Sequence, residues 1–109
     1  ADDDTLRGGP GLDTITGGGG DDTITGGNAA DTLDGGDGAD VITGGSARDL
    51  INGGAGNDTL SGNDGRDDLF GGDDDDSLSG GIGGPDLCDG QAGTGDTADA
   101  SCETIVGVP

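Results

Sequence analysis

From Gly8 to Ser79 the sequence repeats with a period of nine, in eight consecutive units without an insertion: GGPGLDTIT, GGGGDDTIT, GGNAADTLD, GGDGADVIT, GGSARDLIN, GGAGNDTLS, GNDGRDDLF and GGDDDDSLS. This period constrains the architecture more than any other feature. A nine-residue unit cannot bury a core alone and must stack on its neighbours. Position one is Gly in every unit, and position two is Gly in all but one, where Asn63 stands. Position six is always Asp: Asp13, Asp22, Asp31, Asp40, Asp49, Asp58, Asp67 and Asp76. Position eight is always aliphatic: Ile15, Ile24, Leu33, Ile42, Ile51, Leu60, Leu69 and Leu78. Asp4 and Leu6 are the same pair from one unit earlier.

Each position has a physical meaning. The last three residues of a unit, such as Thr14-Ile15-Thr16, are β-prone and alternate out, in, out, which predicts a three-residue strand with its aliphatic buried. The Gly-Gly pair and its followers must turn the chain, and Gly supplies the positive φ angles that such a turn requires. Asn63 tolerates the left-handed region better than other residues that carry a side chain. Two units back to back make one coil of 18 residues. Stacked coils predict an all-β fold, two parallel sheets enclosing a thin aliphatic filling, with coils ~4.8 Å apart. Asp13, Asp31, Asp49 and Asp67 then line one edge, and Asp22, Asp40, Asp58 and Asp76 the other.

Composition now enters the argument. Of 109 residues, 29 are Gly, 24 are acidic and three are basic, giving a formal charge of -21. Only 17 are Ile, Leu or Val, too few for a large core. Stacked carboxylates ~4.8 Å apart repel by roughly 3–4 kcal/mol per step at an effective dielectric near 20, so an empty stack should not close. A hard dication between turns converts that repulsion into coordination. Ca²⁺ takes six to eight oxygens with loose geometry, whereas Mg²⁺ is stricter and Zn²⁺ prefers the His or Cys that the repeat lacks. Multiple Ca²⁺ ions, roughly eight at one per pair of stacked turns, would offset most of the charge. The same charge excludes nucleic acid and anionic membrane as direct partners. His and Lys are absent, which removes most general bases and Schiff-base chemistry, so no enzyme is expected.

These nonapeptides resemble the GGxGxDxUx units of the RTX (repeats-in-toxin, hemolysin-type calcium-binding) family. The resemblance covers residues 4–79 and extends loosely to about residue 99. It implies a right-handed parallel β-roll with Ca²⁺ in the turns, held by the eight position-six aspartates. It also implies carbonyl contacts from position one (Gly8, Gly17, Gly26, Gly35, Gly44, Gly53, Gly62, Gly71). Position two adds Gly9, Gly18, Gly27, Gly36, Gly45, Gly54, Asn63 and Gly72. Position four adds Gly11, Gly20, Ala29, Gly38, Ala47, Gly56, Gly65 and Asp74, where Ala29, Ala47 and Asp74 depart from the usual Gly and imply strained turns.

The period loosens after Ser79. Asp86 and Cys88, then Asp96 and Ala98, take the Asp and aliphatic roles in longer units; Asp4, Asp86, Asp96, Gly80, Gly81 and Gly83 join the candidate ligands. The tail Ala100–Pro109 reads as a non-repetitive apolar cap. Cys88 and Cys102, the only cysteines, predict a structural disulfide tying that cap, worth roughly 3 kcal/mol in the entropic model. The competing reading, a metal or redox pair, is an incomplete site without His. A disulfide implies an oxidising, extracellular location. Thus residues 1–7 read as a partial leading repeat, 8–79 as the repeats and 80–109 as degenerate repeats and cap, all one domain. The half repeat before Gly8 predicts the C-terminal piece of a longer protein with an attached N-terminal domain, and exposed coil ends predict possible self-association.

Of the acidic runs Asp2-Asp3-Asp4 and Asp73 to Asp76, only the position-six members are expected to coordinate, the rest being solvated. Phe70, at position nine, points outward. The functional expectation is a calcium-binding module of a secreted protein that folds on Ca²⁺ outside the cell. An ice- or surface-binding role for outward residues such as Thr14, Thr16, Thr23, Thr25 and Thr43 is the alternative, disfavoured where the array degrades to Val41, Ser61, Ser77 and Ser79.

Overall fold

In the computed structural model, which describes residues 2–106, every unit forms a strand from position seven onward. Numbered along the chain these are β1 (Thr5–Gly9), β2 (Thr14–Gly19), β3 (Thr23–Gly27), β4 (Thr32–Asp37), β5 (Val41–Ser46) and β6 (Leu50–Ala55). There follow β7 (Thr59–Gly65), β8 (Asp68–Asp73), β9 (Ser77–Gly83), β10 (Leu87–Gln91), β11 (Thr97–Ala98) and β12 (Thr104–Val106). Odd strands form one sheet in the order β1-β3-β5-β7-β9-β11, and even strands the other, β12-β10-β8-β6-β4-β2. All pairs are parallel, and Thr5 faces Thr23 as Thr14 faces Thr32, the predicted 18-residue step. The chain is an all-β solenoid of stacked two-strand coils.

The strands outrun the three residues expected: β2 spans 6 residues and β7 spans 7. Parallel pairing carries on through the Gly-Gly pair, where Gly18 faces Gly36 and Gly27 faces Gly45. The in-out alternation continues too, so position one is a second inward site, buried from Gly26 onward. The sharp turn therefore falls later, over positions three to six.

The section is thin, 13 Å in its smallest dimension, which leaves room for one aliphatic layer. Leu6, Ile24, Ile42, Leu60, Leu78 and Ala98 stack in one column; Ile15, Leu33, Ile51, Leu69 and Cys88 stack in the other. Ile24 to Leu78 are essentially inaccessible, while Leu6 and Ile15 in the first coil are only partly buried. Thr23, Thr25, Thr43, Thr59, Ser61, Ser77 and Ser79 lie on the outer face of the odd sheet with Val41 among them, and Asp34, Leu50, Asn52, Asp68 and Phe70 on that of the even sheet.

Cys88 and Cys102 are joined, their Cα atoms 5.9 Å apart. The cap they tie takes a different form from an apolar tail laid over the last coil. Thr104–Val106 runs alongside β10 as one more strand, leaving Ile105 and Val106 about half exposed, at 49% and 48%. Cys102 instead fills the core position at this end. Residues 107–109 lie outside the described region.

Backbone conformation sorts the turn residues. Position two is left-handed throughout, including Asn63 at φ 77° and Gln91 at φ 66°. Position four is left-handed as well, and there Ala29 (φ 73°), Ala47 (φ 78°) and Asp74 (φ 76°) carry the penalty that Gly avoids. At Gly27, φ is 116° and a methyl group would stand 2.5 Å from the Gly9 carbonyl oxygen one coil away. Gly27→Ala is accordingly expected to destabilise the folded coil by about 2–3 kcal/mol, through strain plus backbone displacement. Ala47→Gly should stabilise it by about 0.5–1 kcal/mol, the left-handed penalty less the added chain entropy. Urea unfolding in saturating calcium reads both signs.

Candidate metal centre

The turn in each unit brings its position-six Asp back under the strand, where it is partly buried at Asp13 and fully buried from Asp22 onward. On one edge the amide of Asp13 donates to Oδ1 of Asp31 at 2.8 Å, Asp31 to Asp49 at 2.8 Å, Asp49 to Asp67 at 2.8 Å and Asp67 to Asp86 at 2.8 Å. On the other, Asp4 donates to Asp22 (2.8 Å), Asp22 to Asp40 (2.7 Å), Asp40 to Asp58 (2.8 Å), Asp58 to Asp76 (2.8 Å) and Asp76 to Asp96 (2.8 Å). The predicted columns thus exist, and each extends into the loosened region through Asp86 and Asp96.

The second oxygen of each carboxylate is the informative one. Oδ2 of Asp13, Asp22, Asp31, Asp40, Asp49, Asp58, Asp67, Asp76, Asp86 and Asp96 is buried with no hydrogen-bond partner. Leaving so many buried acceptors unsatisfied is costly, on the order of 1–3 kcal/mol each and more when charged. The surroundings are oxygen-rich. A methyl group on Gly26 would lie 2.5 Å from Asp31 Oδ2 and 2.7 Å from the Gly44 carbonyl oxygen, so two oxygens from successive coils converge where position one has no side chain. Among the described residues no three carboxylates meet at one point. Any ion here must therefore complete its shell with carbonyl or water oxygen. A hard cation of high coordination number fits such a donor set; a Zn²⁺-type ion does not.

Burial pushes the carboxyls in the middle of the columns upward, and the carboxylates one coil away push the same way. Against them the single amide bond pulls down. Asp58 rises to about 7, Asp49, Asp67 and Asp76 to about 6, and Asp40 also rises. Without cations the fold therefore favours the protonated form of these five carboxyls.

The position-one glycines face these carboxylates from inside the coil, Gly8 against Asp13 and Gly71 against Asp76 at the two ends of the strict repeat. The position-two and position-four residues, together with Gly80, Gly81 and Gly83, lie along the strand ends and turns of the same two edges.

Two features escape the nine-residue reading. Glu103 ends the first column, its Oε2 accepting the Asp86 amide at 2.8 Å. The spacing there is 17 residues rather than 18 because Asp86 itself sits one residue late; counted by nines from Asp13, Glu103 falls on position six again, and Glu103-Thr104-Ile105 repeats the order of Asp13-Thr14-Ile15. The acidic runs are also not merely solvated. Asp3 Oδ1 accepts the Asp21 amide (2.8 Å), Asp21 the Ala39 amide (2.8 Å), Asn57 the Asp75 amide (3.0 Å) and Asp75 the Gly95 amide (2.8 Å). This position-five ladder points toward the C-terminal end, opposite to the position-six ladder. It occupies one edge alone, because the other edge has Leu12, Ala30, Arg48 and Arg66 at position five.

Fold and site together define a parallel β-solenoid with two turn edges of stacked, half-satisfied aspartate. A family model described as "RTX calcium-binding nonapeptide repeat (4 copies)" matches residues 1–33, 25–60 and 53–85. The chain belongs to that family, as its units resemble, and is an RTX calcium-binding repeat module, a structural kind of domain. No match is found among curated proteins or among solved structures.

The pH dependence follows from the raised carboxyls. A carboxyl raised on folding adds stability when protonated. That stability is full below the ordinary value near 3.9 and is lost as pH climbs through 6 to 7. In excess chelator, acidification from pH 8 to pH 4 should increase strand content by far-UV circular dichroism, the gain beginning as pH falls through 7 to 6. A decrease on acidification would contradict the sign.

Proposed function

We propose that this chain is a calcium-gated folding module of a secreted protein. The observation that carries the reading is the double column of buried Asp Oδ2 atoms without a partner. Oxygen donors of two successive coils converge at the position-one glycines from Gly8 to Gly62, so cations there would neutralise the repulsion and satisfy those atoms together. Asp13, Asp31, Asp49, Asp67 and Asp86 would serve one edge, and Asp4, Asp22, Asp40, Asp58, Asp76 and Asp96 the other. Carbonyls of positions one, two and four would complete the shells. When bound, Ca²⁺ supplies positive charge and oxygen coordination, nothing catalytic. Roughly eight ions, one per pair of stacked turns, would offset about 16 of the 21 net negative charges.

The residues of the chain do the rest. In low calcium, column repulsion and stranded oxygens hold it extended; in extracellular calcium the same carboxylates close the coil. The Cys88–Cys102 disulfide supports an oxidising, extracellular setting. Residues 1–7, 8–79 and 80–109 act as one domain, with its biological task belonging to an attached N-terminal part.

Far-UV circular dichroism at pH 7.5 tests this. Strand signal should appear on adding millimolar calcium and vanish in excess EDTA; a signal indifferent to both overturns the reading. Asp49→Asn, in mid-column, should raise the calcium midpoint at least threefold. Asp37→Asn, exposed at position three, should leave it within experimental error.

A further inference from the structure

The last turn of the first column departs from the repeat in three ways that converge on one place. Its acid is Glu103, the only glutamate in the chain. The turn before it holds the extra residue Gly84, against which that acid packs: a methyl group on Gly84 would stand 2.8 Å from Glu103 Oε1 and 2.9 Å from Oε2. A Glu side chain is one methylene longer than Asp, and the bare Gly84 backbone leaves room for it. The turn is also clamped. Cys102, directly before Glu103, is bonded to Cys88, two residues after Asp86. Ser101 Oγ accepts the Gly81 amide at 2.8 Å, and Asp99 Oδ1 accepts the Ser101 amide at 2.9 Å.

Asp86 is the inner partner in this turn. It is fully buried, its Oδ1 is taken by the Asp67 amide, and its Oδ2 has no partner. Its own amide donates to Glu103. Asp86 therefore stands between Asp67 and Glu103 as every interior aspartate stands between its two column neighbours. The step it makes with Glu103 has the same parts as the interior steps: a stranded buried carboxylate oxygen, a carboxylate on the next coil, and an amide bond setting their register. What differs is the outer carboxylate: Glu103 is exposed where the interior aspartates are buried, and it is held in another way. No further coil stacks on it among the described residues, and Ile105 beside it is half exposed. The disulfide takes the place of the missing packing.

We propose that Asp86 and Glu103 form a terminal calcium site whose outer half is held in place by the Cys88–Cys102 disulfide, so that its occupancy depends on redox state. This rests on the calcium reading of the interior turns. A dithiol reductant donates two electrons and two protons to the Sγ–Sγ bond, leaving two thiols and departing as its own disulfide. Residues 99–106 then lose their covalent tie to β10, Glu103 leaves the Asp86 amide, and the outer ligand of this site is withdrawn. The interior columns, formed by buried coils, keep theirs.

Calcium stoichiometry of the full chain, by isothermal titration with equilibrium dialysis, tests the site, with hydrogen exchange at residues 97–106 as the second readout. The comparison set is the oxidised chain, the same chain after dithiol reduction, Cys88→Ser/Cys102→Ser, and Glu103→Gln. The oxidised chain should bind one ion more than each of the others, or bind its weakest ion at least tenfold more tightly. Calcium should protect residues 97–106 from exchange only in the oxidised, Glu103-containing chain. Equal stoichiometry and affinity across the set would overturn the terminal site while leaving the interior reading intact. Loss of every ion on reduction would overturn it too, because the disulfide would then be holding the whole coil rather than one turn. No calcium bound by the oxidised chain would overturn both readings.

Discussion

Each interior aspartate of this solenoid is satisfied at one oxygen and stranded at the other. Oδ1 takes an amide from the neighbouring coil; Oδ2 is buried without any partner. The amide bond sets the register of the stack, and it also fixes the carboxylates close enough to repel one another. A single neutral donor per carboxylate does not balance desolvation and like-charge neighbours, as the upward displacement of Asp49, Asp58, Asp67 and Asp76 records. The fold therefore places its largest penalty where a hard cation has most to offer, and turn geometry, glycine placement and thin core all serve that arrangement.

Glycine does two separate jobs here. Position one faces inward on a strand and must lack a side chain because the stranded Oδ2 and the next coil's carbonyl occupy that space. Position two must be left-handed and pass close under the carbonyl of the coil before it. Position four is left-handed and equally close to the coil before it at Gly38, Gly56 and Gly65, yet Ala29, Ala47 and Asp74 adopt the same conformation there. The aliphatic columns contribute one residue per turn, enough to define an inside and an outside but not to close the coil against its charge.

The two edges, equivalent in the repeat, are not equivalent in the protein. One carries a second ladder through Asp3, Asp21, Asn57 and Asp75, running opposite to the first. The other carries Arg48 and Arg66 in the same column, with Arg48 pairing with Asp68 at 3.0 Å on the surface, an exposed contact of small energetic weight. Its last step ends in Glu103 and the disulfide. The acidic edge thus gains register from backbone bonding, and the other gains it at the C-terminal end from a covalent tie.

The coil length, the inward aliphatics and the two aspartate columns were legible in the sequence because the period is strict from Gly8 to Ser79, and a strict period makes neighbours in space from neighbours in register. The Gly-Gly pair was misplaced: it reads as the turn but continues the strand, because parallel pairing extends wherever a backbone can follow its neighbour. Glu103 stayed hidden because Asp86 and Asp96 run late and break the visible period before it, although Glu103 itself falls back on position six counted by nines from Asp13; only the stacked coil shows that its carboxylate meets the Asp86 amide. What the sequence by itself determined is which residues recur, and hence which charges must lie together. Only the tertiary structure decided which oxygen of each carboxylate is spent on an amide and which is left over, because that choice depends on the direction in which one coil's N–H points at the next.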